Sequence, residues 1–110
     1  WQKIPFGITD WFHRPLGIQP LALAYRSNVP WNETKYNDPE FDKVLNEAEA
    51  TFDVEKRRVL VGQLEKMMQD DAVMIAPFFR SVFTFMDKKV KGFRMHPSGY
   101  IFGNQLGIEA

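Results

Sequence analysis

Two helix starts lie fifteen residues apart, and they constrain this chain more than any other feature. Asp38-Pro39 pairs a capping carboxylate with a proline at the first helical position, where no backbone N–H is needed. Asp53 can cap a second helix in the same way. After Asp38, the apolar residues Phe41, Val44, Leu45 and Ala48 recur at helical spacing and form one stripe. After Asp53, the stripe is Leu60, Leu64, Met67 and Met68, flanked by Val61, with Arg57, Arg58, Glu65, Lys66 and Gln69 facing outward. Only a few residues separate the two segments, so they are predicted to fold back as an antiparallel helical hairpin over residues 38–71.

The rest of the chain reads as short strands and loops. Phe6, Ile8 and Trp11 suggest a strand running into a loop from His13 to Gly17, in which Pro15 holds Arg14 extended. Pro20 can open a short helix through Tyr25. Residues 27–37 are rich in turn formers. Val73–Phe79 is a continuous apolar run that predicts a buried strand, with Pro77 requiring an edge or a bulge. Ser81–Met86 alternates as a second strand, Asp87-Lys88-Lys89 turns, and Val90–Met95 suggests a third. Residues 96–110 are assigned no regular structure. The fold class is thus α/β, a mixed α+β arrangement of a helical hairpin with short strands.

Composition excludes several function classes. Fourteen basic and fourteen acidic residues cancel, which argues against a nucleic-acid partner or a polybasic membrane anchor. With no cysteine there is no disulfide, thiolate nucleophile or Cys-based zinc site. His13 and His96 have no partner at metal-ligand spacing, so no metal site is expected. Asp38, Glu40 and Asp42 lack the central glycine and closing glutamate of a calcium loop and read as helix-capping charge. Ser27, Ser81 and Ser98 have no nucleophile-elbow context. Gly99, Gly103 and Gly107 do not match a dinucleotide fingerprint. No cofactor is expected, and the residues alone offer no catalytic constellation beyond an acid/base pair of Asp10 and His13. The ten phenylalanines crowd toward the two ends, which need something to pack against. The chain opens on Trp1 rather than Met, and further sequence is expected upstream.

One loop cluster carries the materials of a binding cleft: Trp11, His13 and Arg14, followed by Trp31 and Asn32. Aromatics supply contact area at low entropic cost, and an arginine supplies a planar fork of donors that suits a carboxylate or phosphate. Two plainer readings stand beside this one. Trp11 and Trp31 could belong to the core, and Arg14 could form a salt bridge to Asp10 or Glu33.

The order of segments adds a resemblance. Asp10-Trp11, Tyr25-Arg26-Ser27, Trp31-Asn32 and Tyr36-Asn37-Asp38-Pro39-Glu40-Phe41-Asp42 are followed by Asp53 with Arg57-Arg58. Asp70-Asp71-Ala72, Ile75-Ala76-Pro77-Phe78 and Val90-Lys91-Gly92-Phe93 complete the series. Together these resemble the C-terminal part of the family 5 extracellular solute-binding proteins, the dipeptide, oligopeptide and nickel-type receptors of bacterial ABC importers. The resemblance implies the two-lobed fold of type II periplasmic binding proteins. Residues 1–75 would belong to the C-terminal lobe, and residues 76–110 would return to pack on the N-terminal lobe. It implies a small-molecule ligand, a membrane permease as partner, and a periplasmic or lipid-anchored extracellular location. Peptide-binding members tend to carry an aspartate three residues after the tryptophan, paired with the ligand's α-amino group. Arg14 stands at that position here, so the implied ligand is not a free peptide amine. The alternative is a free-standing interaction domain built on the hairpin. An isolated piece is expected to self-associate through its Phe-rich ends.

Overall fold

The computed structural model describes residues 3–109; Trp1, Gln2 and Ala110, and the expectations that fall on them, lie outside the described residues. Helix α1 spans Ile18–Ala24, α2 spans Pro39–Ala50 and α3 spans Val54–Asp70. A two-residue strand β1, Val90–Lys91, pairs antiparallel with β2, Gly107–Ile108, and a 3-10 turn at Gly103–Gln105 precedes β2.

The hairpin forms as its sequence dictates. The Asp38 carboxylate accepts from the backbone N–H of Glu40 at 2.8 Å and of Phe41 at 3.3 Å, with Pro39 behind it. Asp53 accepts from the Lys56 N–H at 2.9 Å. Each cap satisfies donors that the first helical turn would otherwise leave open, a contribution of about 1 kcal/mol. Between the helices, Thr51 leaves helical geometry and its hydroxyl donates to the Glu47 carbonyl at 2.8 Å. The two stripes then meet. Phe41, Leu45, Ala48 and Leu64 are fully buried, joined by Met68 and by Ile18 and Leu21 of α1. Burying a side chain of the size of Phe41, Leu45 or Leu64 is worth roughly 1.5–3 kcal/mol.

The end of α3 closes in a left-handed turn. Ala72 has φ of 50°, its N–H donates to the Gln69 carbonyl at 3.2 Å, and the Val73 N–H donates to the Met68 carbonyl at 3.0 Å. This crossed pair of bonds is a Schellman closure, here with alanine where glycine is usual. Val73 packs back on the core beside it. Tyr36 ties the start of α2 to the end of α3, its hydroxyl placed 2.7 Å from Asp71 Oδ2 and 3.2 Å from Asp38 Oδ2. Burial and these carboxylates push the Tyr36 phenol well above its ordinary range.

Three strand expectations are corrected. The segment through Phe6, Ile8 and Trp11, the run Val73–Phe79 and the stretch Ser81–Met86 form no ladder, and only the first two residues of Val90–Met95 do. A strand exists through its neighbour's N–H and C=O groups. Every residue from 74 to 86 is exposed and none pairs with a neighbouring strand. The tail expected to lack regular structure instead supplies β2, in register Val90 to Ile108 and Lys91 to Gly107. The short helix begins at Ile18, two residues before Pro20, which sits within its first turn where a missing N–H costs nothing. Gly92, just past β1, has φ of 78°, and a Cβ there would lie 1.8 Å from the Gln105 carbonyl oxygen. No other residue fits so close a crossing of backbones.

The whole is extended. Its radius of gyration is 18.2 Å, against about 13 Å for a compact chain of this length. Many large apolar side chains outside the three helices stay in solvent: Phe79 is 96% exposed, Phe85 92% and Ile8 98%.

Candidate functional site

The loop between α1 and α2 is held by one side chain. The Asn32 amide donates to the carbonyls of Arg26 at 3.0 Å and Tyr36 at 2.7 Å, and its oxygen accepts from Thr34 Oγ1 at 3.0 Å and the Tyr36 N–H at 3.1 Å. Asn28 and Lys35, with φ of 61° and 58°, turn the backbone at either side. Arg26 clamps the loop to α2, donating to Asn46 Oδ1 at 2.8 Å and Glu49 Oε2 at 2.6 Å, and Asp42 accepts from the Ser27 N–H at 3.0 Å. This framework presents Trp31 outward, half exposed, at the rim of the molecule.

Trp31 there meets the segment before α1. The Trp11 and Trp31 rings stand edge to face, 5.7 Å between centroids, and the Arg14 guanidinium lies 6.0 Å from the centre of the Trp11 ring. Thr9, Asp10, Phe12 and Glu33 complete an open cleft of about 310 Å³. Neither tryptophan joins the hydrophobic core. Of the five residues expected at a binding site, the structure brings Trp11, Arg14 and Trp31 together. His13 is exposed and does not line this cleft, and Asn32 spends its amide on the loop behind it.

The charges are distributed unevenly. Asp10 is paired with Arg80 at 2.5 Å, and Glu33 accepts from Thr9 Oγ1 at 3.2 Å. Arg14 pairs with neither carboxylate, and its Nε is enclosed without an acceptor. The salt bridge weighed for Arg14 is therefore absent among the described residues. Arg80 escapes the sequence reading because seventy positions separate it from Asp10 and nothing periodic links them. Glu33 also lies near the half-buried Tyr25, whose phenol is pushed up, first by burial and then by that charge. Among the described residues no group of His, Asp and Glu could hold a metal, and no helix is long and apolar enough to cross a membrane.

Comparison with known proteins places the chain. It is 35% identical over 72 residues to a probable D,D-dipeptide-binding periplasmic protein of Escherichia coli, covering 66% of this chain and 14% of that one. It is 28% identical over 78 residues to a dipeptide-binding protein of Bacillus subtilis, covering 71% and 14%. It is 27% identical over 86 residues to a probable deoxycholate-binding periplasmic protein of Escherichia coli, covering 77% and 16%. The chain is similar to the family 5 extracellular solute-binding proteins, to which these relatives belong. It spans only about a seventh of the length of these family 5 relatives. No family model matches the chain. No solved structure matches it either.

Proposed function

We propose that the intact protein is the solute-binding component of a bacterial ABC importer. It captures a small solute outside the cytoplasmic membrane and delivers it to a permease. The observation that carries this reading is the open cleft in which two indoles and an unpaired guanidinium converge. Apolar walls with a few aimed polar groups are what a small-molecule site requires. The relatives whose names record dipeptide and deoxycholate binding support it. In this reading residues 1–75 form part of the C-terminal lobe and residues 76–110 return to an N-terminal lobe in a two-lobed fold. The exposed phenylalanines of the return segment then have a surface to cover, or in an isolated piece a second copy of themselves. The protein is periplasmic or anchored extracellularly by lipid, and it carries out no chemical step.

The test is direct. The full-length protein is purified and its bound solute identified by mass spectrometry. Trp11→Ala is expected to weaken binding of that solute at least tenfold, about 1.4 kcal/mol. A full-length protein that carries no solute and binds none from a broad metabolite extract would overturn the reading.

A further inference from the structure

We infer that the cleft selects a ligand bearing one carboxylate, placed against Arg14, on an apolar body laid along Trp11 and Trp31. The inference rests on the solute-binding reading and names the class of solute. Among the described residues, Arg26, Arg57, Arg58, Arg80 and Arg94 all donate to a side chain or a backbone carbonyl. Arg14 does not, although its Nε is shut off from solvent. An enclosed N–H of a charged group with no acceptor is costly. The two terminal amino groups of the same guanidinium are not enclosed in that way and have no acceptor among the described residues, so they can take one that arrives with the ligand.

The identity of that acceptor follows from the surroundings. A guanidinium offers two parallel N–H donors in one plane, which matches the two oxygens of a carboxylate. The Trp11 face beside Arg14 restrains the guanidinium before anything binds, so little freedom remains to be lost. Asp10 and Glu33 share the cleft. Asp10 is engaged by Arg80, but the Glu33 carboxylate has only the Thr9 hydroxyl and no cation beside it among the described residues. A dianion such as a phosphate monoester would meet Glu33 with one arginine to offset it, so a single negative charge is favoured. The paired indoles call for an apolar or planar group next to it.

The experiment uses the full-length protein and titration calorimetry with matched probes. These are N-acetyl-alanyl-phenylalanine and its C-terminal amide, a steroid carboxylic acid and its amide, and the phosphonate counterpart of the peptide acid. At least one acid is expected to bind ten or more times more tightly than its amide and more tightly than the phosphonate. Arg14→Gln should remove the acid-over-amide preference. If that variant misfolds, the wild-type acid-to-amide ratio still decides. Equal binding of acid and amide overturns the carboxylate assignment and leaves the solute-binding reading intact. Failure of every probe to bind also overturns the carboxylate assignment, while the solute-binding reading stands or falls on the bound-solute test.

Discussion

Asn32 and Arg14 show how differently two polar residues of one loop cluster can be used. Both are residue types found in binding sites, and both were legible as candidates from their place beside tryptophans. The sequence does not show that Asn32 faces inward along its own loop, because that depends on the left-handed turns at Asn28 and Lys35. Its amide makes four hydrogen bonds, and Arg14 makes none. At about 0.5–1.5 kcal/mol net for each bond, with some replaced by water, Asn32→Ala is expected to destabilise the full-length protein by about 2 kcal/mol. A lowered urea midpoint with solute affinity near wild type, measured well below that midpoint, is the expected result. A large loss of affinity at unchanged stability would return Asn32 to the binding site.

At the scale of elements, what the sequence reveals depends on where the bonds go. Helices α2 and α3 satisfy their backbones internally and carry their own caps, so Asp38, Asp53 and the two stripes predict them nearly to the residue. The apolar run Val73–Phe79 carries as strong a strand pattern but has no neighbour to pair with. Pattern alone cannot supply a partner, and beyond Val73 the segment is exposed and joins no ladder. The closure of α3 is a finer case. Ala72 at φ 50° holds a conformation that costs an L-residue about 1 kcal/mol and glycine nothing. Ala72→Gly is expected to stabilise the hairpin by a few tenths to about 1 kcal/mol, offset in part by the greater freedom of glycine in the unfolded chain. Chemical denaturation would read the gain, and a loss of stability would mean that the Schellman turn is not kept in solution.

For the whole molecule, the contrast is between a packed hairpin and a bare return segment. Amide exchange should resolve them. In the isolated 110-residue chain, residues 38–71 are expected to be protected longest and residues 74–89 to exchange almost freely. In the full-length protein, residues 74–89 should gain protection comparable to that of the hairpin, as a lobe interface supplies the missing backbone partners. Equal exchange of this segment in the two proteins would argue against the proposed two-lobed placement.

The Asp10–Arg80 contact has a consequence in the order of synthesis. Asp10 leaves the ribosome seventy residues before Arg80, and the whole helical hairpin is made between them. Until Arg80 emerges, Asp10 has no arginine from the return segment, and the nearest unclaimed guanidinium in its own cleft is that of Arg14. The exposed pair between Asp10 and Arg80 adds little stability, yet it offsets one of the two carboxylates that share the cleft with Arg14. A nascent chain halted after the hairpin would hold the same tryptophans and the same Arg14 with an extra negative charge uncovered beside them. A segment translated after the hairpin thus sets the charge of a cleft whose walls were made first.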